Sequence, residues 1–163
     1  MHLKRILIGT AVLCIASAGI HPFGAVKRED SNRALLSAAR IDAEIMSMLV
    51  RSCQTCHSQR TVWPWYSYVA PVSWLIERDV SKARAYMNFS RWEEYTNEER
   101  EVYLGAIAAA IRNKQMPPSR FALLHPESRL STAESERIYL WARGERRRLR
   151  TPVPASAAYA HYP

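Results

Sequence analysis

The stretch Arg51-Ser-Cys-Gln-Thr-Cys-His-Ser58 constrains this chain more than any other. At its centre stand Cys53, Cys56 and His57 in the spacing C-x-x-C-H, the attachment signature of a c-type haem. Two thiols at this spacing lie about one helical turn apart, so both can reach the vinyl groups along one porphyrin edge. The histidine that follows is then carried beneath the iron as an axial ligand. A chain built on this motif also needs a segment that delivers it, a core that wraps the cofactor and a group for the iron's far side.

Cysteine arithmetic depends on how the chain begins. Residues 1–18 read as an export signal or membrane anchor: Lys4 and Arg5 form a basic start, Ile6 to Ile15 is an apolar run, and Ala16-Ser17-Ala18 fits the small-x-small cleavage pattern. The run is short for a membrane span, which needs about 20 apolar residues, although extension to about residue 23 gives a marginal one. Cleavage before Gly19 and retention as an anchor are therefore both open. Cleavage would remove Lys4 and Arg5 and lower the formal charge from +8 to +6. It would also remove Cys14, leaving Cys53 and Cys56. In an exported chain such a pair makes a structural disulfide, a redox disulfide or a haem clip, and the adjoining His57 favours the clip. The expected location is the bacterial periplasm, soluble or tethered to the inner membrane.

With 163 residues, one domain plus terminal extras is expected. Residues 19–33 mix Pro, Gly and charge and read as a linker, 34–144 as the domain, and 145–163 as a basic, disordered tail. Within the domain, helical periodicity begins near Ala34, and Ile41, Ile45 and Met48 lead into Cys53. Thr61-Val-Trp-Pro-Trp-Tyr-Ser67 is an aromatic loop, and Trp63, Trp65 and Tyr66 read as core or as rings laid against a porphyrin. A backbone carbonyl near Pro64 or Pro71 is the expected acceptor for the His57 Nδ1–H. A second helix starts at Pro71, with Val72, Leu75, Ile76, Ala83 and Met87 as its apolar stripe. Thr96-x-x-Glu99 caps a third, ending near Lys114, with Leu104, Ile107 and Ile111 on one face. Ser131-x-x-Glu134 caps a fourth, which carries Ile138 and Trp141 inward and stops at Gly144.

Between the last two helices lies Gln115-Met116-Pro117-Pro118. The prolines end the helix and stiffen the loop, and Met116 offers a soft sulfur from a segment remote from His57. Met116 is the favoured sixth ligand, His125 the rival, and a core-plugging methionine the bland reading. Arg60, Trp63 and Arg120 are candidates for the propionates.

These strings together resemble the bacterial haem-binding domain family of c-type cytochromes. The matching residues are C-Q-T-C-H-S, T-V-W-P-W-Y-S, A-P-V-S-W-L with Trp74, N-F-S-x-W, M-P-P, and Ile138-Tyr-Leu-Trp141 after Leu130-Ser131, spanning roughly Val50 to Arg143. The resemblance implies an all-α, cytochrome-c-like fold of about four helices around one covalent haem c, with irregular aromatic-rich loops, on the exported side of the membrane. It supports Met116 as ligand and favours an N-terminal tether.

Two functions compete. The first is single-electron transfer through a His57/Met116 haem, with redox proteins of the cell envelope as partners and nucleic acid excluded. The second is a haem enzyme or sensor with an open or displaceable sixth position, for peroxide or a gas, in which Arg112, Arg120 or His125 would supply the distal polar group. A single C-x-x-C-H excludes a dihaem layout. A haem-free redox protein should show a βαβ pattern, which is not visible, and a zinc site would have to conscript Cys53, Cys56, His57 and His125.

Overall fold

The computed structural model describes residues 2–17, 19–22, 26 and 32–151, with backbone alone at 14 and 15. Ala18 of the cleavage pattern, the Cys14 side chain, most of the 19–33 linker and residues 152–163 lie outside the described residues. The protein is mostly helical, and no strand occurs among the described residues. The chain divides into two compact units. One is formed by residues up to Leu35 together with Gln54–Ser90, the other by Leu36–Cys53 together with residues from Arg91 onward.

In the second unit, α2 (Ala43–Leu49) opens at Asp42, whose carboxylate accepts from the Ile45 amide at 2.8 Å. The helix thus starts later than its periodicity suggests. Residues 35–38 form a turn instead, with Leu36 and Ala38 in the left-handed region at φ 53° and 67°, where helical hydrogen bonding cannot propagate. The chain then continues without a break through a π-helical turn (Val50–Gln54) into the single turn α3 (Thr55–His57). The longer helices α5 (Asn97–Arg112) and α7 (Thr132–Arg150) pack against each other. Both open on complete capping boxes, Thr96 with Glu99 and Ser131 with Glu134, as expected. Leu104, Ile107 and Ile111 face Ile138 and Ala142 in a buried core that includes Leu49 and Trp92. Trp141 is half-buried and donates from Nε1 to the Arg40 carbonyl at 2.8 Å.

α7 does not stop at Gly144. It runs on to Arg150, so residues 145–150 are helix rather than tail. A glycine inside a helix costs about 1 kcal/mol, but Glu145 offsets this from a buried position. Its carboxylate takes the Arg40 amide at 2.9 Å and the Arg148 guanidinium at 2.6 Å.

The first unit holds α1 (His2–Ser17), a 3₁₀ turn (Trp65–Tyr68) and α4 (Val72–Tyr86). α4 lies against both α3 and the 3₁₀ turn. Its buried face is not the expected stripe: Ser73, Glu77 and Val80 point inward, while Val72 and Leu75 are exposed. Hydrogen bonding explains the inversion. Both Glu77 oxygens lie 2.9 Å from His21 Nδ1, so the buried carboxyl is partnered, and Trp74 Nε1 donates to the Ile20 carbonyl at 2.7 Å. Of the predicted stripe, Met87 is buried as expected.

The short α6 (Ser119–Leu124) follows the Met116 loop and was not expected from sequence. Six residues carry too little periodicity to signal a helix.

Candidate haem site

The motif segment is held from both of its ends. In the second unit, Arg51 sends Nη1 to the carbonyls of Glu127 and Arg129 at 2.8 and 2.6 Å and pairs through Nη2 with Glu134. Ser52 Oγ donates to the Ser128 carbonyl at 2.8 Å. Cys53 follows, half-buried, on the π-helical turn. Such wide turns crowd one side of a helix and concentrate at functional sites.

In the first unit, Cys56 is half-buried and His57 is buried at 9% exposure. Neither cysteine is in a disulfide. His57 Nδ1 lies 3.1 Å from the Met87 carbonyl oxygen. A carbonyl can only accept, so Nδ1 carries the proton and Nε2 keeps the lone pair. The acceptor is therefore neither Pro64 nor Pro71, as sequence suggested, but the residue that closes α4. α4 packs on α3 and delivers that carbonyl. Burial lowers the His57 pKa below its usual value against the opposing pull of the Met87 and Ala83 carbonyls. The ring is thus held neutral and in one tautomer, the state a metal requires.

Phe89 stacks on His57 with centroids 5.7 Å apart and an interplanar angle of 23°. Ser90 Oγ accepts the Gln59 amide at 3.1 Å, and Asn88 Oδ1 accepts the Ser90 amide at 3.0 Å. Arg84 donates to the Ser58 carbonyl at 2.8 Å and to Thr61 Oγ1 at 2.9 Å, while Thr61 Oγ1 donates to the Thr55 carbonyl at 2.6 Å. These groups fix the turn that follows His57. In the sequence, N-F-S-x-W stands as an aromatic string with nothing to attach it to the histidine. An Asn directly before an aromatic-Ser pair is the Asx-turn signal that would have marked a rigid loop.

The other predicted site residues are scattered in role. Trp63 and Tyr66 are half-buried, and Tyr66 meets Trp65 edge-on at 5.8 Å. Trp65 itself is 78% exposed, and Trp74 is engaged at Ile20. Arg60 reaches the Arg33 carbonyl at 2.7 Å. In the second unit, Met116 is 38% exposed on the loop after α5, and Arg120 is exposed on α6. His125 stacks on Phe121 at 4.4 Å with Nδ1 3.1 Å from Glu127 Oε1. Among the described residues no group of three or more His, Cys, Asp or Glu side chains could hold a metal ion by itself.

The donor chemistry fits a haem: two thiols in C-x-x-C spacing along the sequence and a neutral imidazole whose Nε2 keeps its lone pair. Residues 62–75 also carry Val62, Trp65, Tyr68, Val69, Val72 and Leu75 at the surface. Comparison with protein families matches residues 12–144 to the haem-binding domain family. No curated protein and no solved structure matches the chain.

Proposed function

The chain belongs to the haem-binding domain family, and from that premise we propose that it is a monohaem c-type cytochrome carrying single electrons in the cell envelope. The observation that carries this reading is the His57 Nδ1–Met87 hydrogen bond within a C-x-x-C-H motif. Cys53 and Cys56 would hold the haem by thioether bonds, and His57 through Nε2 and Met116 through its thioether would bind its iron. Bound there, the haem supplies a one-electron iron couple, and a Met/His ligand pair raises its potential.

The protein's own part is positional. Met87 keeps the imidazole proton on Nδ1, Phe89 limits rotation of the ring, and Arg84 with Thr61 holds the following turn. A carbonyl that accepts the ring's other N–H makes the ligand more basic and costs about 10–100-fold in affinity when lost. Partners would be redox proteins of the envelope, and the apolar segment of α1 would serve as export signal or tether.

Visible spectra of the purified protein test the reading. One haem retained through acid-acetone extraction is expected, and Cys53→Ala/Cys56→Ala should abolish that retention. A ferric charge-transfer band from sulfur ligation should be present and should vanish in Met116→Ala. Its survival in that variant removes Met116 from the ligand set. Rapid carbon monoxide binding to the reduced wild type would instead identify an open sixth position and a sensor or enzyme.

A further inference from the structure

The second half of α7 places Arg143, Arg146, Arg147 and Arg150 at positions i, i+3, i+4 and i+7, so all four lie along one side of the helix. They line a single concavity of about 160 Å3. Like charges at these spacings destabilise a helix, and the available counter-charge is small. Arg146 Nε and Arg150 Nε share one carboxylate oxygen of Glu101, at 3.3 and 2.6 Å. Arg148, on another side of the helix, already has Glu145. Among the described residues, Arg143 and Arg147 have no carboxylate partner, and residues 152–163 contain no Asp or Glu. The helix dipole does not account for the stripe, because its influence is confined to the last turn and Arg143 lies seven residues from the end.

Two further residues on this side say what kind of surface would complete it. Leu140 is 56% exposed one turn before Arg143. Tyr139 lies under the guanidinium groups of Arg112 and Arg143, with centroid distances of 4.8 and 5.5 Å. A tyrosine, an exposed leucine and a row of arginines on one helical side form the pattern of an interfacial helix, in which apolar and aromatic groups enter the headgroup region while cations meet phosphates. An acidic protein face would match the charge but not Leu140. The chain also carries in α1 an exposed apolar helix that prefers a lipid phase. One apolar insertion plus one basic patch is the combination that gives stable membrane association.

We infer that this side of α7 is a docking surface for an anionic phospholipid bilayer. The inference does not depend on the haem ligands. Two arginines near an anionic surface contribute about thirtyfold in partition.

Flotation of the full chain with phosphatidylglycerol-containing vesicles and with pure phosphatidylcholine vesicles tests it, read as the ratio of the two partition coefficients. The contribution of α1 is common to every variant and cancels when the ratios are compared. Wild type should give a ratio well above one at low salt that collapses near 1 M, where the screening length is about 3 Å. Arg143→Gln/Arg147→Gln should lower the ratio about thirtyfold. Lys82→Gln/Lys114→Gln, an equal loss of charge elsewhere, should change it less than about threefold. A wild-type ratio near one, an unchanged ratio in the arginine variant or an equal fall in the lysine variant would each overturn the inference. Circular dichroism of each variant confirms that the helix persists.

Discussion

His57 and Phe89 illustrate what a single residue does here and how far it could be read in advance. The expectation that His57 is a ligand follows from its place directly after Cys56. Its tautomer does not, because that depends on a backbone carbonyl 30 positions away, and carbonyls leave no mark in a sequence. Phe89, 2% exposed, is one of the few apolar side chains buried in its unit and also the ring against which the imidazole lies. Phe89→Ala should cost about 3–5 kcal/mol in urea unfolding. Phe89→Leu, which keeps most of the volume, should cost less than about 1.5 kcal/mol. Equal losses for the two would show that the aromatic face, not the filled volume, is what the site needs. Glu145 gives a pH-dependent counterpart. Burial raises its pKa, but the Arg148 guanidinium and the Arg40 amide outweigh burial and hold the carboxyl below its ordinary value. A folded value below the unfolded one means that the unfolded chain binds the extra proton first. The stabilisation is therefore complete above the ordinary carboxylate pKa of about 4.5 and is lost as pH falls through the folded value. Glu145→Gln should lower stability at pH 7 and flatten the acid side of the stability profile between those two values, measured by denaturant midpoints at stepped pH. A profile unchanged in shape would mean the ion pair contributes nothing to folding.

At the scale of the element, the capping boxes were the most legible features, since Thr96 with Glu99 and Ser131 with Glu134 are local and chemically explicit. Thr96→Ala should cost about 1 kcal/mol, seen as a lower thermal midpoint. Helix ends set by distant partners were less legible. α7 passes Gly144 because Glu145 is tied to Arg40 across 105 positions, and α4 turns Glu77 inward because His21 meets it across 56. Periodicity weighs hydrophobicity alone and so assigned Val72 and Leu75 to the inside of α4. The α7 correction can be tested directly. A Cβ at Gly144 would meet nothing within 4 Å, and the residue lies inside a regular helix. Gly144→Ala should therefore raise stability by about 0.4–1 kcal/mol. Were Gly144 a left-handed terminator, the same change would destabilise instead. Differential scanning calorimetry reads the sign.

For the molecule as a whole, all-helical architecture was legible because four amphipathic stretches, two of them opening on capping boxes, are spread along the chain. The division into two units was not, since chain contiguity hides the fact that Cys53 groups with one unit and Cys56 with the other. How the molecule meets its surroundings turns on α1. Its 16 residues would span about 24 Å as a helix, short of the roughly 30 Å of a bilayer core, and among the described residues no helix is long and apolar enough to cross a membrane. Yet Leu3, Ile6, Leu7, Ile8, Val12 and Leu13 are each 60–70% exposed. At about 1.5–3 kcal/mol for burying each such side chain, water is a poor environment for this helix even after allowance for partial exposure. A chain that keeps α1 should therefore self-associate or enter detergent micelles, whereas a chain beginning at Gly19 should remain monomeric without detergent. Because Trp74 holds the Ile20 carbonyl and Glu77 meets His21, removal of residues 1–18 leaves these attachments to α4 in place, and unfolding midpoints should change by less than about 0.5 kcal/mol. Light scattering of the two chains in detergent-free buffer decides the matter: a full chain that is monodisperse and monomeric would mean α1 buries its apolar side chains against the protein itself.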